Sequence, residues 1–383
     1  MKYPDARHYL GGRFVAGGPR FLDVHNPADG QVISRVPLGD AGTVTAAVAA
    51  AKAALPGWAG TPVKERVQVF FRYKTLLERH IGELAGLITE EHGKVKGEAE
   101  AEILKAIELT EFACSLPQLV AGEVLEVSRG VECRLERYPL GVVASINPFN
   151  FPSMVPHWTI PNAIALGNCF ILKPSELVPL SAARIAELLK EAGLPDGVFN
   201  VVHGDREVAE ALCDHPGVSA ITFVGSTKVA QAVYRRATGN LKRALCLGGA
   251  KNHVIVMPDA DPEMASGGVL AAMAGCTGQR CMAASVMVAV SATDHIVTRL
   301  AEQARKLVAG RDVGPVITPA AKARIEGFIT EAERQGARVL VDGRGATVAG
   351  MEGGWYVGPT VIDQVRPEMA LAQEEVFGPV LAI

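Results

Sequence analysis

Gly141-Val142-Val143-Ala144-Ser145-Ile146, running into Asn147-Pro148-Phe149-Asn150-Phe151-Pro152, is the stretch whose reading decides this chain's fold. A short apolar run stopped by a Pro- and Asn-rich turn reads as a buried strand followed by a loop. The pattern then recurs. Strand-like runs lie at Cys169–Leu172, Val198–Val202, Ala220–Val224 and Val254–Met257, with helical stretches between them, including Ser181–Ala192 and Arg206–Cys213. Such alternation predicts an α/β protein with a mainly parallel sheet covered by helices on both faces. Open parallel sheets bind ligands at the carboxyl ends of their strands, so the chemistry is expected in the turns just after these runs.

Working outward, residues 8–38 read as a short β region, with Phe14-Val15 and Val32-Ile33 punctuated by glycines and Asn26-Pro27. Asp40 can cap a helix over the alanine-rich Val44–Leu55. Lys64–Glu91 keeps apolar residues broadly on one side, and Glu98–Cys114 is amphipathic. Glu123–Arg137 alternates like a hairpin. Beyond residue 260 a second α/β segment is expected, with helices at Leu300–Val308 and Ala320–Gly336 and strands at Val339–Val341 and Val357–Ile362.

Bulk properties narrow the function. A chain of 383 residues suggests two or three domains. A formal net charge of -3 gives no electrostatic reason to expect nucleic acid or an anionic membrane as partner. There is no apolar signal core after Met1 and no run of eighteen apolar residues. The seven cysteines are scattered without Cys-x-x-Cys spacing, and His157 and His253 lack ligand-like spacing, so neither a metal site nor a disulfide framework is expected. A cytoplasmic enzyme acting on a small molecule is the expectation.

Five constellations carry the chemistry: Pro148-Phe149-Asn150-Phe151-Pro152, Leu172-Lys173-Pro174-Ser175-Glu176, Phe223-Val224-Gly225-Ser226-Thr227, Gly278-Gln279-Arg280-Cys281, and Glu374-Glu375-Val376-Phe377-Gly378-Pro379. Singly they are weak: a Gly-Ser-Thr turn is usually a helix cap, and a lone cysteine is usually core. In this order and spacing they resemble the aldehyde dehydrogenase superfamily over the whole chain. The chemistry agrees. A thiolate attacking an aldehyde makes a tetrahedral carbon that can release hydride. Arg280, adjacent to Cys281, would favour ionisation of that thiol, and the amide of Asn150 can donate to an oxyanion without carrying negative charge. Gly225 and Ser226 suit a pyrophosphate at a helix N-terminus.

The resemblance implies an aldehyde dehydrogenase-like fold: a Rossmann-type NAD-binding domain at 1–119 and 140–249, a β-hairpin oligomerisation element at 120–139, and an α/β catalytic domain at 250–383. It implies Cys281 as nucleophile and Asn150, with the backbone N–H of the cysteine, as oxyanion donor. Phe149, Lys173, Glu176, Gly225, Ser226, Glu375 and Phe377 would bind the cofactor. Lys173 and Glu176 match positions that hold the adenosine ribose, and a carboxylate there favours NAD over NADP. Glu375 matches the glutamate that holds the nicotinamide ribose, with Phe377 packing beside it. A homo-oligomer, dimer or tetramer, is also implied.

One departure is informative. Members that hydrolyse the thioester use a glutamate in a Glu-Leu-Gly-Gly-Lys run. Here the run is Leu247-Gly248-Gly249-Ala250-Lys251-Asn252-His253, so Leu247 or Cys246 stands where the base would be. Without that base a thioester can wait for a thiol such as coenzyme A. The Gly-Ala-Lys-Asn-His, Pro-Phe-Asn-Phe-Pro and Gly-Gln-Arg-Cys-Met runs resemble the CoA-acylating methylmalonate-semialdehyde dehydrogenase branch. That branch converts malonate or methylmalonate semialdehyde to acetyl- or propionyl-CoA with loss of carbon dioxide. There two arginines hold the substrate carboxylate; one matches Arg280 and the other Lys105, which keeps the charge but not the bidentate fork. The rivals are a water-using aldehyde dehydrogenase and an inactive NAD-binding or interaction remnant. The remnant reading arises because the sequence stops inside Val380-Leu381-Ala382-Ile383, which suggests a truncated catalytic domain.

Overall fold

The computed structural model describes residues 1–383. In chain order the elements begin with β1 (His8–Leu10), β2 (Arg13–Val15), β3 (Phe21–His25), β4 (Val32–Pro37), α1 (Ala41–Gly60), α2 (Val63–Arg79), α3 (Ile81–His92), α4 (Lys96–Cys114), α5 (Leu116–Leu119), β5 (Glu123–Ser128) and β6 (Val131–Leu135). The central stretch holds β7 (Val142–Ile146), α6 (Met154–His157), α7 (Ile160–Ala165), β8 (Cys169–Lys173), α8 (Leu180–Glu191), β9 (Phe199–Val201), α9 (Arg206–Asp214), β10 (Ala220–Val224), α10 (Thr227–Gly239) and β11 (Arg243–Leu247). The remainder is β12 (His253–Val256), α11 (Pro262–Ala274), β13 (Val286–Ala289), α12 (Asp294–Ala304), α13 (Pro319–Arg334), β14 (Arg338–Val341), β15 (Thr360–Asp363), α14 (Ala370–Gln373) and β16 (Val380–Ala382). These form two compact units: Met1–Val24, Ser34–Leu87 and Glu100–Gly248 in the first; His25–Ile33, Ile88–Ala99 and Gly249–Ile383 in the second.

The first unit is built on a seven-stranded sheet of order β11-β10-β7-β8-β9-β1-β2. Its five strands from β11 to β9 are parallel, and β1 and β2 add an antiparallel edge. All residues of β7 and β8 are buried, which is why they read as continuous apolar runs rather than alternating ones. The chain moves from β7 through β8 to β9 on one side, then returns to lay β10 and β11 on the other. That reversal makes a topological switch point beside β7, where such sheets open a crevice at their carboxyl ends. Helix α1 starts as its sequence suggests: the Asp40 carboxylate accepts from the Thr43 N–H at 2.8 Å, the Thr43 hydroxyl reaches back to the Asp40 N–H, and Val44, Ala47, Val48 and Ala51 are buried at helical spacing.

The second unit carries a five-stranded sheet of order β12-β13-β16-β15-β14, parallel except between β14 and β15. One apolar core joins α11 and α12 to it through Val269, Met273, Ile296 and Leu300; another joins α13 through Ile325 and Ile329. The hairpin β5–β6 pairs Glu123 with Leu135 and is exposed along both strands, leaving Val124, Leu125 and Val127 in solvent. No helix is long and apolar enough to cross a membrane.

Several expectations need correction. The single helix expected over Lys64–Glu91 is two, broken at His80, whose N–H bonds back to Leu76 and Leu77 while its carbonyl starts α3 by accepting from Leu84. The apolar spacing runs through the break, so periodicity could not reveal it. The helix expected over Leu300–Val308 lies earlier, at Asp294–Ala304, because its buried stripe is Ile296, Val297, Leu300, Ala301 and Ala304; after Ala304 the bonds tighten to i→i+3 and Gly310 turns left-handed. Among the elements that the sequence pattern does not mark, two have instructive causes. Strand β11 is an edge strand with alternating exposure and weak β formers. Helix α11 had a legible signal, Asp261-Pro262: the Asp261 carboxylate caps the Met264 N–H at 2.8 Å, and Pro262 opens the helix.

Candidate active site

In the first unit, three of the five constellations follow neighbouring parallel strands. The loop after β7 is tied at both ends. Asn147 N–H donates to the Lys173 carbonyl at 3.0 Å, and the Glu102 carboxylate accepts from the N–H groups of Ser153 and Met154 at 2.7 and 3.0 Å. Asn150 between them is buried, as is Phe151. At the end of β8, the almost fully buried Lys173 donates to the Pro174 carbonyl at 3.0 Å and the Glu176 carboxylate at 3.1 Å. The two expected ribose-binding residues are therefore paired with each other. At the end of β10, Gly225 donates to the Leu247 carbonyl, and a Cβ there would come within 2.6 Å of the Phe223 ring. Ser226 stands at the N-cap of α10 but makes no capping bond with its side chain. Thr227 opens this thirteen-residue helix, so its N-terminus lies directly after the strand-end turn. Helices α9 and α10 enclose a cavity of about 850 Å³, lined by Ala209, Cys213, Val229 and Val233 with Arg206 and Arg235 at its polar margin. No period or motif marks this cavity in the sequence, because it is made by residues of two separate helices.

Lys105 is exposed on α4 and paired with Glu108, one turn away. That is the surface-helix arrangement, and any carboxylate ligand would have to compete with Glu108.

In the second unit, Cys281 follows an unusual turn. After α11 ends, Cys276 (φ 50°) and Thr277 (φ 56°) are both left-handed, and Gly278 (φ 66°) continues the bend. A non-glycine residue in this region costs about 1–2 kcal/mol, so neighbours must hold it. They do. The Cys276 N–H donates to the Glu98 carboxylate at 2.7 Å, and the Thr277 hydroxyl to the Gly314 carbonyl at 2.9 Å. Gln279, wholly buried, accepts from the Ile317 N–H at 3.0 Å. Asn252 donates its amide to the carbonyls of Cys281 at 2.6 Å and Ala283 at 2.9 Å. Glu98, Gln279 and Asn252 were not singled out from sequence; their partners lie 178, 38 and 29 residues away.

The half-buried thiol of Cys281 is pushed above its ordinary pKa by burial, partly opposed by its own N–H, and raised further by the Glu375 carboxylate; the Met282 N–H and Arg280 pull it down, but less. The expectation that Arg280 favours the thiolate is therefore overridden. The guanidinium is turned onto the open end of α11, donating to the carbonyls of Ala271 and Ala272 at 2.6 and 3.0 Å, and its buried Nε has no hydrogen-bond partner. Glu375 is itself raised by burial, against the Ala250 N–H, Lys251 and Arg324. Burial brings Lys251 down to about 8, against the pull of Glu375 and Glu374. Phe377 holds a left-handed backbone at φ 53°, and Gly378 lies against Gly278. The second unit thus brings together Arg280, Cys281, Glu375 and the Gly249–Asn252 run. Of the two candidates for the position of a hydrolytic base, Leu247 ends β11 as an exposed apolar side chain and Cys246 before it is partly buried.

Comparison with known proteins places the whole chain. The model of the aldehyde dehydrogenase family matches residues 14–383. A malonate-semialdehyde dehydrogenase of Pseudomonas aeruginosa is 46% identical over 98% of this chain and 78% of its own length. The crystal structure of a methylmalonate-semialdehyde dehydrogenase from Oceanimonas doudoroffii is 48% identical, with a TM-score of 0.97 over 99% of this chain and 80% of that one. A protein from Sinorhizobium meliloti, assigned as a methylmalonate-semialdehyde dehydrogenase and solved in complex with NAD, is 42% identical with a TM-score of 0.98, covering 100% and 80%. Matched by the family model over residues 14–383 and by these relatives along nearly its whole length, this chain belongs to the aldehyde dehydrogenase family.

Proposed function

We propose that the chain oxidises malonate or methylmalonate semialdehyde with NAD, forms a thioester on Cys281, and passes the acyl group to coenzyme A with release of carbon dioxide. One observation carries the reading: Cys281 is half-buried in a turn held by Asn252, within the electrostatic influence of Glu375, while no carboxylate occupies Cys246–Lys251. The names of the relatives support the choice of aldehyde.

Cys281 would attack the carbonyl carbon as thiolate. Asn150, through its amide, and the backbone N–H of Cys281 are the proposed donors to the oxyanion. Hydride then leaves the tetrahedral carbon and a thioester remains on the sulfur. The substrate carboxylate departs as carbon dioxide, its C–C electron pair passing into the thioester carbonyl as an enolate that takes up a proton from water at the α-carbon, and the thiolate of coenzyme A attacks the thioester and expels the Cys281 thiolate. Arg280, with its unpartnered Nε, is the first proposed partner of the substrate carboxylate; Lys105 is the second.

The residues of the first unit fit a dinucleotide. Lys173 and Glu176 offer a donor and an acceptor for ribose hydroxyls, Gly225 leaves the space a Cβ would fill, and Ser226 with the start of α10 suits a pyrophosphate. The apolar slot between α9 and α10 suits a planar base. Phe149, Glu375 and Phe377 are proposed for the nicotinamide side. When bound, NAD supplies the hydride acceptor. The segments 1–119 and 140–249 are accordingly proposed as the NAD-binding domain, 250–383 as the catalytic domain, and the exposed hairpin within 120–139 as a homo-oligomerisation element.

The test is NADH formation from malonate semialdehyde with and without coenzyme A, for the parent chain and Cys281→Ala. Steady turnover only with coenzyme A, lost in Cys281→Ala, is expected. Equal steady turnover without coenzyme A overturns the acyl-transfer reading; activity that survives Cys281→Ala overturns the site.

A further inference from the structure

We infer that Glu98, in the first turn of α4, is a positioning residue for the thiol at 281: its carboxylate pins the left-handed turn that aims the cysteine. This deepens the proposed function and rests on Cys281 being the nucleophile.

The argument begins with the backbone. Cys276, Thr277 and Gly278 are consecutive left-handed residues, and two of them carry side chains that disfavour that conformation. Left alone, such a turn relaxes toward ordinary angles, and every atom after it swings. Cys281 lies only three residues beyond Gly278. The turn is buried, so its N–H groups cannot turn to water as the chain relaxes. The first N–H of the turn, that of Cys276, is the one taken by Glu98, at 2.7 Å. A carboxylate accepting from a backbone N–H makes a charge-assisted bond, shorter and stronger than a neutral one.

The other ties act at different atoms: the Gln279 N–H donates to the Cys276 carbonyl at 3.0 Å, within the turn itself. Thr277 is held through its hydroxyl, Gln279 through its side-chain amide, and Asn252 grips the chain only from the Cys281 carbonyl onward. Arg280 fastens its side chain to α11, which ends immediately before the turn, so it links the two sides without setting the angles between them. Glu98 lies 178 residues before Cys276 and is half-exposed, so its role is not that of a core residue.

Two substitutions separate positioning from mere folding. Glu98→Gln keeps a carbonyl acceptor of the same reach; Glu98→Met keeps the length and removes the acceptor. Each is compared with the parent chain and Cys281→Ala for thermal midpoint, NAD affinity, the single-turnover rate of NADH formation, and the rate of iodoacetamide alkylation at Cys281 followed by peptide mass spectrometry. Glu98→Met is expected to stay folded and bind NAD like the parent, while its single-turnover rate falls ten- to one hundred-fold and its alkylation rate changes at least three-fold. Glu98→Gln is expected to recover the single-turnover rate to within about three-fold of the parent. Parent-like rates in a folded Glu98→Met overturn the inference, as does a folded Glu98→Gln as impaired as Met. If Met does not fold, hydrogen exchange of the 275–281 segment in folded Gln and parent decides: parent-like protection together with a parent-like single-turnover rate supports the anchor, and parent-like protection with collapsed turnover refutes it. Activity in Cys281→Ala would instead defeat the nucleophile assignment, a distinguishable failure.

Discussion

Replacing Gly278 by alanine should disable the site far more than it destabilises the fold. The added Cβ would stand 2.0 Å from the Gly378 oxygen, 2.2 Å from its carbonyl carbon and 2.7 Å from the Pro379 nitrogen. All three are backbone atoms, so no side chain can swing aside. Restoring ordinary contact at 3.4 Å requires the thiol-bearing turn and the Gly378 segment to part by roughly 1.4 Å. A misplacement of about 1 Å at a reacting group can lower turnover about a hundred-fold, or about 2.7 kcal/mol in the barrier. The left-handed backbone adds about 1–2 kcal/mol of destabilisation. Gly345 isolates that part: its φ is +67° against +66° at Gly278, yet a Cβ there meets nothing within 4 Å. Gly345→Ala should therefore lower the thermal midpoint slightly and leave turnover intact, whereas Gly278→Ala should lose about two orders of magnitude in NADH formation while remaining folded by circular dichroism. Parent-like turnover in Gly278→Ala, or an equal loss in Gly345→Ala, would refute the steric argument.

Other consequences are equally direct. Because burial and Glu375 raise the Cys281 thiol, its alkylation by iodoacetamide in the cofactor-free protein should keep accelerating with pH beyond the ordinary cysteine range; a plateau near neutrality would contradict this. Buried His157 is lowered to about 4, donating Nδ1–H to the Ser153 carbonyl and accepting from the Tyr73 hydroxyl at Nε2. The folded protein keeps it neutral while the unfolded chain protonates it near 6.5, so its contribution, on the order of 3 kcal/mol, is full above pH 6.5 and lost as pH falls toward 4. Urea unfolding between pH 7 and 4.5 should show a shallower pH slope in His157→Gln than in the parent, and an unchanged slope would count against it. Glu176→Gln should weaken NAD binding about ten-fold and narrow the preference over NADP, read by fluorescence titration with both nucleotides; identical affinities would remove Glu176 from the ribose site.

The legible parts of this chain share a physical cause. Strands β7 and β8 are buried on both faces and spell themselves out as apolar runs, and the residues after them fall in the turns that parallel topology reserves for ligands. Where burial is one-sided or a break leaves the apolar spacing intact, as at β11 and His80, the pattern carries no warning. The thiol's surroundings were harder still. Adjacency in sequence points to Arg280 acting on Cys281, and it does lower the thiol, but its guanidinium is tied to the end of α11 and burial outweighs it. Glu98 and Asn252 act through contacts remote in sequence, which no local pattern encodes.

The protonated state of the Cys281 sulfur has a protective side. Peroxides attack thiolates, not thiols, and the oxidised acids beyond the first stage are not readily reversed. A sulfur held in its neutral form between turnovers offers oxidants a smaller target than one kept permanently charged. The same burial should thus lengthen the working life of the resting protein under oxidative stress.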